Sequence, residues 1–172
     1  MESEKDRYGE KRIMADRTEW LKWLMADHIE RKRRNQAEVK SILLIGVNHL
    51  GTLIAKSMEE IGYEVMAVDS DENRINAIQS YVTDAQIGDS TNEEFLKSLG
   101  VSDYDLCFVT IASDFQNSLM TTFLLKELGA ARVIGRANSE IQEKLLLRSG
   151  ADEVINPEKQ AAAWIAEKYG NG

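Results

Sequence analysis

The chain has 172 residues, and its 43% hydrophobic content is enough to bury a core, which excludes a disordered chain. It carries 21 Lys+Arg against 29 Asp+Glu, a net charge of −8, which argues against a nucleic-acid binder held by phosphate contacts. The imbalance is uneven: residues 1–40 hold 11 basic and 9 acidic side chains and the remainder 10 and 20, so the first forty residues differ in kind from the rest.

Residues 1–16 read as a charged, disordered tail. In residues 17–40, Trp20, Leu21, Trp23, Leu24, Met25, His28 and Ile29 predict an amphipathic helix that needs a partner surface. The run Arg31 to Arg34 closes this helix. It fits a solvated basic C-terminal turn or a juxtamembrane segment on the cytoplasmic side of a membrane. The longest apolar runs, Ile42 to Val47 and Leu106 to Ala112, are too short to span a bilayer. No signal peptide opens the chain, and the single cysteine, Cys107, reads as a small core residue unable to form an internal disulfide. A reducing cytoplasm is the expected compartment.

From residue 41 onward, short apolar runs alternate with segments of helical periodicity, which predicts a Rossmann-like, doubly wound α/β domain over 41–172 with a parallel six-stranded sheet. Strands are expected at 42–47, 64–68, 85–87, 105–111, 132–135 and 153–155, each followed by a helix. Gly62, Gly100, Gly129 and Gly150 stand where helices end and suit a left-handed closing position. Helix starts are read from Thr91 with Glu94, from Ser113 with Gln116, and from Asn156 followed by Pro157.

The first strand runs into Gly46-Val47-Asn48-His49-Leu50-Gly51, and helical periodicity begins at once. That is the strand-turn-helix context of a G-x-G-x-x-G dinucleotide fingerprint, with Asn48 in place of the second glycine. Asp69 closes the second strand 18 residues after Gly51, where an acid accepts the ribose hydroxyls. A carboxylate there repels a 2′-phosphate, so NAD or NADH, or an adenine nucleotide (AMP, ADP or ATP), is expected and NADP is not. Further candidates stand at the carboxyl ends of the strands: Ser70 beside Asp69, Asp89 and Ser90, Thr110 and Ile111, and Arg136. Ser113 reads as a helix cap rather than a ligand contact.

Ile42 to Gly51, Val65 to Asp71, Gly88-Asp89-Ser90-Thr91 and above all Ser149 to Glu158 resemble the TrkA N-terminal domain, also called the KTN or RCK N-lobe, over residues 41–169. The resemblance implies a cytoplasmic nucleotide-sensing domain that gates a potassium channel or transporter, lying free or tethered at the inner face of the membrane beside a potassium-translocating subunit. It implies that Gly46, Asn48, His49 and Gly51 line the phosphates, Asp69 the ribose, and Asp89 and Ser90 the adenine. Members that discriminate ATP from ADP often carry arginine where this chain has His49. In the family a further lobe usually follows, so the chain is expected to be a truncated form or a member without that lobe.

Helices 115–128 and 139–149 hold more apolar surface than one sheet face requires, which predicts a homodimer or higher ring through them; burial within the monomer is the alternative. The enzyme reading, an NAD-dependent oxidoreductase, lacks a substrate region, because only 17 residues follow the sixth strand. No catalytic or metal-binding residues are expected. The remaining alternative is the nucleotide-binding module of another multidomain protein, such as a phosphoesterase.

Overall fold

The computed structural model describes residues 40–170, so the readings for the tail and for the Trp20/Trp23 helix lie outside the described residues. Within them β1 (Ser41–Ile45) is apolar at successive positions because both its faces are covered, as in a central parallel strand. Leu43 and Ile45 pack with Val68, Leu96, Cys107, Val109, Leu125 and Val133 on one side of the sheet. Ile42 and Leu44 pack with Ala55, Val65, Ala67, Ile75, Ile78 and Phe108 on the other.

β2 (Glu64–Asp69) and β4 (Leu106–Val109) flank β1, and β3 (Asp84–Ile87), β5 (Val133–Arg136) and β6 (Glu153–Ile155) complete a six-stranded parallel sheet in the order β3-β2-β1-β4-β5-β6. The expected fold class therefore holds. The chain winds outward from β1 in one direction and from β4 in the other, and the reversal opens a crevice between their carboxyl ends.

Six α-helices connect or follow the strands: α1 (His49–Glu60), α2 (Glu72–Ile78), α3 (Glu93–Ser98), α4 (Phe115–Glu127), α5 (Glu140–Arg148) and α6 (Pro157–Tyr169). The four glycines expected to close helices all adopt positive φ. Asn156 caps α6 with Pro157 in the first turn, as expected. Two other caps lie one residue later than expected. Asn92 accepts from Phe95 N–H and Asp114 from Asn117 N–H, each at 3.0 Å, because these side chains reach the third amide of their helices. Thr91 instead bonds Asp89, and Ser113 is left facing the crevice.

α4 reverses the usual pattern. The side it turns to the interior carries Ser118, Thr121, Thr122 and Leu125, while Met120 and Phe123 are exposed. Small side chains let this helix lie close to the sheet, and its larger apolar residues are thereby sent outward.

Candidate functional site

The crevice at the carboxyl ends of β1 and β4 is a cleft of about 420 Å³, within the size range of small-molecule sites. Its first wall is the turn after β1. Gly46, at φ +105°, bends the chain out of the strand. A side chain there would sit 2.9 Å from Ile111 N. Gly51 packs α1 against the same turn: an added Cβ would lie 1.9 Å from the Gly46 carbonyl oxygen. The helix N-terminus therefore opens directly onto the cleft, where its amides and dipole favour an anion.

Asn48 is the cap of that helix. Its backbone is extended (φ −80°, ψ −170°), so its place does not depend on tolerance of positive φ. The side-chain oxygen accepts from Gly51 N–H at 2.9 Å, and Nδ2 donates to the Thr110 carbonyl at 2.5 Å. One side chain thus ties the β1 turn to the end of β4.

Asp69 is 8% exposed at the base of the second wall. Its Oδ2 accepts from Val47 N–H at 2.7 Å and its Oδ1 from Asp71 N–H at 2.9 Å. Each oxygen has one backbone donor and retains acceptor capacity for a hydroxyl. Arg74, from α2, lies 3.5 Å from Oδ2 and 3.7 Å from Asp71 Oδ2, both long contacts. Asp89 Oδ1 accepts from Thr91 N–H at 2.8 Å and Thr91 Oγ1 at 2.7 Å, and these bonds hold its carboxyl below the ordinary carboxylate range. Ser90 Oγ meets Thr121 Oγ1 of α4 at 2.7 Å, so the loop after β3 is tied to that helix inside the protein.

Of the residues singled out in the sequence, Gly46, Asn48, Asp69, Ser70, Asp89, Ser90 and Ile111 line the cleft together. Leu50, Gly51 and Thr110 lie outside the lining; Gly51 and Thr110 support the turn, with Thr110 Oγ1 donating to the Gly46 carbonyl at 2.6 Å. His49 is exposed on the first turn of α1 and is not part of the cleft lining. Arg136 is also outside the lining and pairs with Glu158 at 3.1 Å. Sequence reasoning missed Arg74, Asp114 and Asn117, which line the cleft from the caps and first turns of α2 and α4. Their signal was position alone, one turn beyond a strand end. The lining carries three carboxylates, Asp69, Asp89 and Asp114, against the single guanidinium of Arg74. Among the described residues no group of acidic, histidine or cysteine side chains could hold a metal ion.

A parallel sheet in the order 3-2-1-4-5-6, with a glycine turn feeding a helix N-terminus at the switch point and an acid closing β2, defines a Rossmann-like domain. Residues 42–157 match the TrkA-N domain, and the chain belongs to that family. It is 40% identical over 127 residues to the Ktr system potassium uptake protein C of Bacillus subtilis, covering 74% of this chain and 58% of that protein. It is 38% identical over 128 residues to the Ktr system potassium uptake protein A of the same organism, again covering 74% and 58%. The chain thus spans less than two thirds of the length of these curated relatives.

Among solved structures, the fold is shared with the NAD(P)-binding domain of an exopolyphosphatase-related protein from Archaeoglobus fulgidus (TM-score 0.68, 22% identity, 76% of this chain and 98% of that one). It is shared with the GsuK channel bound to NAD (TM-score 0.66, 14% identity, 87% and 28%). The AMP-bound form of the Kef C-terminal domain from Shewanella denitrificans is a third neighbour (TM-score 0.62, 16% identity, 75% and 79%). Among the described residues no helix is long and apolar enough to cross a membrane.

Proposed function

We propose that this domain is a cytoplasmic nucleotide-sensing regulatory module of a potassium uptake system and works without catalysis. One observation carries the reading: a cleft of nucleotide size joins the N-terminus of α1 to a recessed carboxylate, Asp69, that keeps acceptor capacity for a ribose diol. It is supported by 40% identity to a protein named for potassium uptake, and by fold neighbours whose structures hold NAD or AMP. The ligand is an adenine nucleotide or NAD(H), with adenosine on the β2–β3 side and phosphate at α1. NADP is disfavoured, because Asp69 occupies the place a 2′-phosphate would need.

The output of the sensor is the pairing of two copies. Exposed Met120 and Phe123 on α4, with Ile141, Leu145 and Leu147 on α5, form the apolar surface offered to a second chain. The Ser90–Thr121 bond links the ligand loop to the same α4, so a shift at one is felt at the other. The paired domains act on a membrane potassium-translocating subunit.

The test is a thermal-shift panel of AMP, ADP, ATP, NAD, NADH and NADPH on the full chain. A ligand at 100 times its dissociation constant adds about 2.7 kcal/mol, or roughly 5 to 11 °C for a chain of this size. Asp69→Asn keeps an acceptor for Val47 or Asp71 but loses the charge, and is expected to weaken the active ligand by about ten- to a hundredfold. A flat panel would reduce the domain to a dimerisation scaffold.

A further inference from the structure

Resting on the nucleotide reading above, we infer that Asn48 makes the cleft selective for adenine mononucleotides over dinucleotides. The second glycine of the dinucleotide fingerprint exists so that backbone can approach a pyrophosphate. Here that position carries a side chain on the cleft wall, pinned at both ends by Gly51 N–H and the Thr110 carbonyl.

The bridge falls between the two halves of the cleft. On one side lie Asp69, Ser70, Asp89 and Ser90, which suit an adenosine; on the other lie Ile111 to Asp114 with Asn117. A mononucleotide fills the first half and brings its phosphate toward the capped N-terminal end of α1. A dinucleotide has to carry its pyrophosphate across Asn48 to reach the second half.

Displacing Asn48 does not balance. A phosphate oxygen can replace Oδ1 as acceptor for Gly51 N–H, but it cannot replace Nδ2 as donor to the Thr110 carbonyl. Thr110 is 1% exposed, so that carbonyl would lose its partner beside an anion. The Asp114 carboxylate on the far wall adds like-charge repulsion toward a second phosphate.

Calorimetric titration of the full chain with AMP and with NAD tests the inference. The wild-type protein is expected to bind AMP at least about tenfold more tightly than NAD, and Asn48→Gly to shift the AMP-to-NAD affinity ratio about tenfold toward NAD. Asn48→Ser retains a capping oxygen for α1 but is too short to reach Thr110. It is expected to narrow the gap in the same direction, and serves if the glycine variant folds poorly. Equal wild-type affinities, or an AMP-to-NAD ratio unchanged in both variants, would overturn the role of Asn48 while leaving the nucleotide site standing. Absence of AMP and NAD binding in every form would remove the nucleotide site, and the inference with it.

Discussion

Gly51→Ala puts the geometry of the cleft to a quantitative test. The new methyl would lie 1.9 Å from the Gly46 carbonyl oxygen and 2.9 Å from Thr110 Oγ1, where ordinary contact begins at 3.4 Å. The helix would have to withdraw by about 1.5 Å, the difference between 3.4 and 1.9. Gly46 cannot yield, since its own φ of +105° and its 2.9 Å clearance to Ile111 N already hold the turn in place.

Overpacking of this kind costs about 3 kcal/mol where backbone is struck. Alanine recovers about 1 kcal/mol of helix propensity. The strained Asn48 cap on Gly51 N–H removes about 1 kcal/mol more. The net loss is about 3 kcal/mol, or roughly 6 to 12 °C in melting temperature. Differential scanning calorimetry reads the shift, with Ser57→Ala on the exposed side of the same helix as a control expected to stay within about 0.5 kcal/mol. The variant should also lose nucleotide affinity, because the amides of α1 move with the helix. A Gly51→Ala protein melting within about 2 °C of wild type would refute the claim that this glycine is required by close helix–strand approach.

Phe123→Asp, on the exposed face of α4, tests the proposed pairing: light scattering is expected to report a lower mass than wild type at the same concentration, with no loss of core packing because the side chain is 52% exposed within one chain. Cys107 is expected to resist a thiol reagent at pH 8 until denaturant is added; burial, opposed weakly by Lys126, pushes its thiol up to about 12, and fast labelling of the native protein would contradict its place in the core. Burial of Asp152 is outweighed by bonds from Val133 N–H at 2.7 Å and Lys126 at 3.0 Å, which hold its carboxyl below 3.8. Its contribution is therefore complete well above pH 4 and lost as the pH falls through the lowered folded value. Because the side chain is 39% exposed, the effect is at most about 1 kcal/mol; urea midpoints at pH 7 and pH 3 should converge for Asp152→Asn relative to wild type.

The order of strands and helices was written in the chain, because a strand covered on both faces must be apolar at every position and a helix must end where the backbone reverses. Ile42 to Ile45 and the glycines at 62, 100, 129 and 150 state these requirements locally. The glycine turn and Asp69 were legible for the same reason, since their spacing follows from one βαβ unit. Helix starts were legible to within a residue: Asn92 and Asp114 won the caps from Thr91 and Ser113 because Asp89 had already engaged Thr91 and Asn or Asp reaches the third amide well.

Other features depended on contacts between residues far apart in sequence. Asp69 anchors Val47 as well as facing the cleft, and Asn48 spans to Thr110, 62 positions away. Arg74 and Asn117 join one wall only because the sheet reverses direction between β1 and β4. Periodicity could count the apolar residues of α4, but only packing decided that Thr121 and Thr122 would be buried while Phe123 faced outward. A sequence pattern records what each element needs to form. Which of its faces is covered, and by what, is settled when the layers close on one another.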